Sequence, residues 1–211
     1  MDQADSAPVA IPTVSMALYT VMYPVLSELE EVNPVAAQTL KAVFNKAELK
    51  HPGLCQDLIL TILEQETVDV DVSYTEALLR MSGLGAGGPL DQDGEDKDLS
   101  ELRQKGKTLR NVLSGIADKI NNRSQFIETI RESALAIKDM LSKVTDMIKK
   151  FPPQTHQGLD HRRKEFVIAS KAFSDTLKKH FRDQRNSGVI VAALTLIHQI
   201  NLLVQACAAA Q

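Results

Sequence analysis

Two pairs of basic residues have a spacing that could bind an anionic partner. Arg131 and Lys138 lie seven residues apart in one predicted helix, and Lys171 and Lys178 lie seven apart in the next. Seven residues span nearly two helical turns, so each pair occupies one helix face. Two neighbouring helices could then flank a groove with these cations, which suits an acidic amphipathic helix. An ordinary solvated face is the alternative, because surface Lys and Arg are common.

Side chains with metal-binding or catalytic chemistry form no recognised site in the sequence. His51 and Cys55 are four residues apart, but the Pro-Gly pair between them breaks the helix that would align them. The acidic run that begins at Asp91 resembles a calcium loop, yet an EF-hand requires Gly at position six and Glu at position twelve. Here Gly94 is fourth and Leu102 is twelfth. We therefore predict no catalytic residue, no metal and no cofactor.

Charge is divided unevenly along the 211 residues, although the formal total is only −3. Residues 1–98 contain 5 Lys and Arg against 17 Asp and Glu, whereas residues 99–211 contain 19 against 10. This asymmetry predicts that the back half binds an anionic partner, such as an acidic peptide, a phosphoinositide surface or nucleic acid. Nucleic acid fits less well, because aromatic residues make up 4% of the chain and Trp is absent, which leaves no stacking platform.

Composition favours an all-helical, soluble protein. The hydrophobic fraction of 44% is enough for a core, and β-branched alternation is nearly confined to Val68–Val72. Two distant cysteines predict a reducing, cytosolic setting without a disulfide framework. The acidic N-terminus lacks the features of a signal peptide and of a myristoylation site. We expect a cytoplasmic protein.

Helix signals divide the chain into two modules and a linker. Residues 1–14 are predicted to be flexible, and residues 15–82 to form short helices, the first interrupted by Pro24. The Gly-rich, acidic stretch 83–98 predicts a flexible linker. Four amphipathic segments with short breaks in residues 99–211 predict an up-down four-helix bundle. The second of these segments is predicted to bury Ile127, Ile130, Ala134, Ile137, Leu141, Val144 and Ile148.

The short front helices carry apolar residues on more than one face. A module of this size is marginally stable by itself, so its extra apolar faces must be buried against something else. Dimerisation is the simplest solution. The alternative is that the front helices only pack onto the bundle in one shared core.

Several extended runs carry a family resemblance: Met16–Val25, Ala36–Leu40, Pro52–Leu54, Glu76–Met81, Lys164–Phe166, Phe173–Lys178 and Leu196–Gln199. Across nearly its whole length the chain resembles the programmed cell death protein 10 family, also called the cerebral cavernous malformations 3 protein family. The resemblance implies an N-terminal helical dimerisation domain and a C-terminal four-helix bundle like a focal-adhesion-targeting domain. No catalytic motif is part of it.

The resemblance implies a non-enzymatic adaptor. Its front module would heterodimerise with germinal-centre kinases of subfamily III, which are Ste20-like kinases, and would form a homodimer when the kinase is absent. By alignment the interface positions fall at Leu40, Val43, Ile62 and Leu63.

For the bundle, the resemblance implies binding of leucine-aspartate-type helices. Such helices would come from partners such as paxillin and the cerebral cavernous malformations 2 scaffold, and the adaptor would link the kinase to striatin complexes. The groove-lining basic positions fall on Arg131, Lys138, Lys171 and Lys178, with Arg131 replacing a Lys. The alternative function is peripheral phosphoinositide binding at membranes. The implied location is the cytoplasm, with peripheral association with the Golgi and the cell membrane.

Overall fold

Helix-forming segments punctuated by Pro, Asn and Gly account for nearly all of the structure. The computed structural model describes residues 16–65, 73–84, 89–91 and 96–210, and these contain helices and turns but no strand. The all-α prediction is therefore confirmed. A π-helical turn, Leu18–Met22, is followed by α1 Tyr23–Val32, α2 Pro34–Lys50, α3 Leu54–Gln65, α4 Tyr74–Leu84, α5 Lys97–Ser114, α6 Ile116–Lys119, α7 Arg123–Ile148, α8 Pro153–Asp183 and α9 Asn186–Ala209.

The boundaries of α2 follow from residues that the sequence displays. Asn33 Oδ1 accepts a hydrogen bond from the Ala36 amide at 3.1 Å, and Pro34 occupies the first helical position. The helix ends at Lys50, and its C-cap His51 comes directly before the Pro-Gly pair that cannot continue the helix. These signals act over three or four neighbouring residues, so the helix boundaries can be predicted from the sequence.

Pro24 lies at the start of α1, directly after the π-helical turn. Proline has no N–H to donate to the carbonyl of Thr20, and its ring would clash with that carbonyl in a regular α-helix. The wider π turn coincides with this position, where an interruption was predicted. The N-terminal cap predicted at Ser15 lies outside the described residues.

Helices α5, α7, α8 and α9 form the predicted four-helix bundle. Helix α9 packs against α8 and α5, and α7 packs against α5 and α8. In length and composition α9 could cross a membrane, but 56% of its most apolar window is buried inside the protein, as expected of a core helix. Its buried residues are Val189, Ile190, Ala193, Leu194, Leu196, Ile197, His198, Ile200, Asn201, Leu203, Val204 and Cys207.

The buried row of α7 is displaced by one residue from most of the predicted row. The buried residues are Phe126, Thr129, Ser133, Ala136, Met140, Val144 and Met147. Of the predicted row only Val144 is buried; Ala134 is exposed, and the others are half-buried beside the core. Small polar residues can occupy the centre because their hydroxyls donate to carbonyls four residues earlier, Thr129 at 2.9 Å and Ser133 at 2.7 Å.

Helix α4 packs with the bundle, which corrects the predicted domain boundary. It contacts α5, α9 and the π-helical turn, and its Leu78 and Leu79 belong to the bundle core. Leu90, from the middle of the predicted linker 83–98, is fully buried in the same core. The linker prediction was based on composition, which does not register such contacts. Residues 85–88 and 92–95 of this stretch lie outside the described residues.

Two glycines allow these close contacts with α5. A Cβ atom on Gly83 of α4 would lie 2.2 Å from Ser114 Oγ and 2.7 Å from Ser114 Cβ. A Cβ atom on Gly106 of α5 would lie 2.6 Å from Leu90 Cδ2. All three distances are shorter than van der Waals contact, so a side chain at either position would push its neighbour away.

Gly83→Ala is expected to destabilise the protein by about 1–3 kcal/mol, because its methyl group overpacks the contact between α4 and α5. The free energy of unfolding in urea measures this effect. Gly158→Ala is the matched control, since nothing lies within 4 Å of a Cβ at that position in α8. It should stabilise the protein through the higher helix propensity of alanine. Equal effects of the two substitutions would contradict the close approach.

Candidate interaction surfaces

The front helices bury little of their apolar surface. Their core consists of Ala17, Leu18, Tyr23, Leu26 and Cys55, supported by half-buried neighbours. Within residues 16–65, ten large apolar side chains are exposed, against three within residues 96–210. The ten are Val25, Val32, Val35, Leu40, Val43, Leu49, Leu54, Leu58, Ile62 and Leu63. Exposed apolar surface concentrated in this way is typical of a protein-binding module.

All four positions predicted for dimerisation lie on this surface. Leu40 and Val43 of α2 are 38% and 55% exposed, and Ile62 and Leu63 of α3 are 50% and 42% exposed. Ile62 is seven residues after the fully buried Cys55, nearly two turns along the same helix face. The apolar stripe of α3 thus continues beyond the end of the core, where it meets no partner within the described chain.

The turn between α2 and α3 is fixed by a buried carboxylate that sequence reasoning missed. Glu48 is 5% exposed; its Oε1 accepts from the Gly53 amide at 2.7 Å and its Oε2 from the Cys55 amide at 3.1 Å. These amides lie at the beginning of α3 and have no partner within the helix. Gly53 has φ 105°, a conformation that favours glycine. The carboxylate therefore holds together the two helices that carry the exposed apolar positions.

Cys55 is poorly suited to metal binding or nucleophilic chemistry. Burial and the nearby Glu48 carboxylate raise the pKa of its thiol to about 12, so it stays protonated at neutral pH. His51 is exposed in the turn. Across residues 16–65, 73–84, 89–91 and 96–210, no cluster of three His, Cys, Asp or Glu side chains could hold a metal. Asp91, where the calcium-like run begins, pairs with Arg110.

The four predicted groove cations are exposed: Arg131 and Lys138 on α7, Lys171 and Lys178 on α8. Arg131 Nη1 lies 3.4 Å from Glu128 Oε2, and Lys178 Nζ lies 3.0 Å from Asp175 Oδ1. Both pairs are within one helix turn and well exposed, so each contributes little energy. A partner could displace these carboxylates at small cost.

On α7, the groove cations lie on the flank that faces away from α5. Lys143 marks the α5 side, because it donates to Asp98 at 2.8 Å. Helical periodicity places Arg131 and Lys138 on the other flank, outside the half-buried row that contains Ile137. This flank is the one towards α8.

On α8, an aromatic contact identifies the flank towards α7. The ring of Phe181 packs on Phe126 of α7 with centroids 5.8 Å apart. Lys178 is three residues before Phe181 and Lys171 is seven before Lys178, so both lie near this flank. Lys171 and Lys178 therefore lie near the seam between α7 and α8, while Arg131 and Lys138 lie on the solvent face of α7, beyond the half-buried row that borders this seam.

Two exposed apolar residues accompany the cations, and sequence reasoning missed them. Leu135 is 63% exposed and lies between Arg131 and Lys138 on α7; Ile168 is 59% exposed and precedes Lys171 by three residues on α8. Both could have been found from the sequence, because each lies three or four residues from a predicted groove cation on the same helix. By periodicity both lie on the sides of their helices that face away from the seam.

An ion-pair network joins α5 to α7. Asp98 accepts hydrogen bonds from Lys143 at 2.8 Å and from Lys150 at 2.6 Å, and Glu101 accepts another from Lys143. The bonds from the two lysines hold the pKa of Asp98 at about 2. The hydrogen bond from Lys143 also lowers the pKa of Glu101.

This network should make stability depend on pH in the acid range. The pKa of Asp98 is lower in the folded protein than the value of about 3.9 expected in the unfolded chain, so its contribution is present above pH 4 and is lost as the pH falls towards 2. We expect Asp98→Asn to flatten the decrease in urea midpoint between pH 4 and pH 2. Asp139→Asn, an exposed change on α7, is the control. An unchanged slope in Asp98→Asn would contradict the role of the network.

The fold and its two surfaces define a class: a helical protein-binding module joined to a four-helix bundle with a basic face. Comparison with known proteins identifies the family. The model described as "Programmed cell death protein 10, dimerisation domain" matches residues 11–69, and "Programmed cell death protein 10, C-terminal" matches residues 72–160. The chain belongs to the programmed cell death protein 10 family.

A curated relative agrees with this assignment. The programmed cell death protein 10 homolog of Caenorhabditis elegans is 30% identical over 173 residues, which cover 81% of this chain and 80% of the relative. The two family models meet between α3 and α4, so the family's own division also assigns α4 to the C-terminal part. Family membership supports an adaptor or scaffold role.

Proposed function

We propose that this protein is a non-enzymatic adaptor whose front module heterodimerises with a germinal-centre kinase of subfamily III, a Ste20-like kinase. The observation that carries the proposal is the exposed apolar surface of residues 16–65 above a core of five buried apolar residues. Each large apolar side chain buried by a partner contributes about 1.5–3 kcal/mol, so an equivalent helical module is a favourable partner. In the absence of kinase, the same face forms a homodimer. The name of the matched dimerisation domain supports this use.

The bundle binds acidic leucine-aspartate helices in the groove between α7 and α8. Partner leucines pack against the half-buried apolar row of α7, which contains Ile130, Ile137 and Leu141, and partner carboxylates pair with the four groove cations. Partners of this kind are paxillin and the cerebral cavernous malformations 2 scaffold, and the adaptor links its kinase to striatin complexes. The support is chemical: α7 carries a half-buried apolar row, and both helices carry exposed cations.

Phosphoinositide binding is the second candidate function. Exposed cations on a half of the chain with 19 Lys and Arg against 10 Asp and Glu favour an anionic membrane surface as well. This function corresponds to a cytoplasmic protein that associates peripherally with the Golgi and the cell membrane.

Leu40→Asp combined with Ile62→Asp should abolish association with a C-terminal fragment of the kinase, because burying two carboxylates in an apolar interface is costly. Association is measured by co-purification and by the mass of the complex in solution. Thr39→Asp with Thr61→Asp is the matched control, since it adds the same charges at exposed positions of the same helices. Kinase retained by the first variant would place the interface elsewhere. Helical circular dichroism checks that both variants remain folded.

Charge reversal in the groove, Lys171→Glu with Lys178→Glu, should weaken binding of an acidic leucine-rich peptide at least tenfold, measured by fluorescence anisotropy. Lys149→Glu is the control, because Lys149 has the same type of pair, 3.0 Å from Asp146, at the end of α7. Loss of binding to phosphoinositide vesicles with full retention of the peptide would exclude the peptide groove and favour the membrane function.

A further inference from the structure

A short non-helical segment, Pro89–Asp91, lies along the groove between two helices of the bundle. Its first two residues are buried and its last is half-buried. The first residue lines a cavity together with Val204 of α9, and the last lines another together with Ile197 of the same helix. An arginine of α5 borders each of these cavities. We call this the α5/α9 groove, and its walls include Arg103, Gly106, Lys107, Arg110, Ile200 and Val204.

The side chain of Leu90 fills a notch in the α5/α9 groove. A Cβ atom on Gly106 would lie 2.6 Å from Leu90 Cδ2 and 3.2 Å from Ile200 Cγ2. The absence of a side chain at position 106 therefore makes the room that the leucine occupies. Leu90 is fully buried there, although proline and aspartate are its neighbours in the sequence. An apolar anchor in a notch between two helices is typical of a docked peptide.

Basic side chains of α5 hold the segment on both sides of this leucine. Arg103 donates from Nε to the carbonyl of Pro89 at 3.3 Å. Arg110 donates from Nη1 and Nη2 to the two carboxylate oxygens of Asp91 at 2.8 and 3.0 Å, and Lys107 Nζ lies 3.7 Å from the same carboxylate. A bidentate arginine pair selects the orientation of a carboxylate as well as its charge. The spacing of these cations by three and four residues places them along one face of α5.

The walls of the groove belong to long helices. Helix α5 has 18 residues and α9 has 24, and both pack against other helices of the fold as well as each other. Contacts other than those with Pro89–Asp91 therefore set the position of their backbones, and a site on such elements is well defined. The groove recognises a leucine followed directly by an acidic residue, and three consecutive residues supply that chemistry.

We propose that the α5/α9 groove is a docking site for a partner segment in which an acidic residue follows leucine, and that Pro89–Asp91 occupies it as an internal ligand. The partner leucine enters the notch beside Gly106, and the partner carboxylate pairs with Arg110 and Lys107. Charge complementarity favours an acidic partner, because cations line the groove. Internal ligand and partner compete for the same contacts, so the site is autoinhibited. It lies on the opposite side of the bundle from α7 and α8 and is separate from the groove proposed there.

The test uses the full chain and a fluorescein-labelled peptide with the sequence of residues 87–93, Gly-Gly-Pro-Leu-Asp-Gln-Asp. Every protein also carries Lys171→Glu and Lys178→Glu, so that the groove between α7 and α8 does not contribute. Leu90→Ser with Asp91→Asn vacates the α5/α9 groove. We expect this variant to bind the peptide at least tenfold more tightly than its parent, measured by fluorescence anisotropy.

Equal binding by the two proteins would overturn the competition. No binding to the vacated variant, with its helical circular dichroism intact, would overturn the docking site and leave only packing within the chain. Leu90→Ala alone keeps the ion pair of Asp91 and is the milder second variant. It should raise the affinity for the peptide by a smaller factor, and an unchanged affinity would contradict the proposal.

Two further changes locate the bound peptide. In the vacated variant, Arg110→Met should weaken binding at least tenfold, whereas Arg123→Met, at an exposed position of α7, should leave it unchanged. Equal effects of the two substitutions would place the peptide elsewhere. A peptide that carries serine in place of its leucine should not bind, since it cannot fill the notch; retained binding would overturn recognition of the apolar anchor.

Discussion

Burial of α9 is the constraint on which the other helices depend. This helix contacts α8, α5 and α4, so each of them must turn an apolar face towards it. On α8 that face contains Phe173 and Leu177, which directs Lys171 and Lys178 outward. The exposed basic side chains of the groove are thus a geometric consequence of core packing. Removing apolar surface from water supplies most of the energy that holds this arrangement.

The front module depends on the bundle more than its separate core implies. Met16 belongs to the bundle core, whereas its neighbours Ala17 and Leu18 belong to the front core. The first helical segment therefore divides its side chains between two cores. The second attachment is α4, which is packed on α5 and α9. A module held in this way can keep a large apolar surface exposed, because the bundle contributes stability that its own five-residue core does not.

The sequence predicts those parts of the structure that depend on neighbouring residues. Asn33 and Pro34 start α2 as expected, since a cap acts within one helical turn. The all-α fold follows from periodicity in the same way. Leu40 and Ile62 were assigned to an interface through family resemblance; both are exposed, and their role stays a prediction.

Features that depend on distant contacts could not be predicted. Periodicity shows that α7 has a wide apolar arc, but only its neighbours decide that Ser133, rather than Ala134, lies at the centre. Leu90 stands among glycines and acids, and nothing nearby in the sequence indicates the pocket beside Gly106 that buries it. Glutamate is seldom buried, so no sequence pattern indicates that Glu48 joins α2 to α3.

The division of charge along the chain overstates how much basic surface the bundle offers. Acidic residues at the junction of the halves already neutralise cations of α5 and α7: Asp91 pairs with Arg110, and Asp98 bonds both Lys143 and Lys150. These contacts are structural and fix α5 against its neighbours. Along the seam between α7 and α8, in contrast, Arg131 and Lys178 pair only with acids on their own helices among the described residues. Since such pairs exchange readily with water and other anions, the charge of Arg131 and Lys178 is available to a partner.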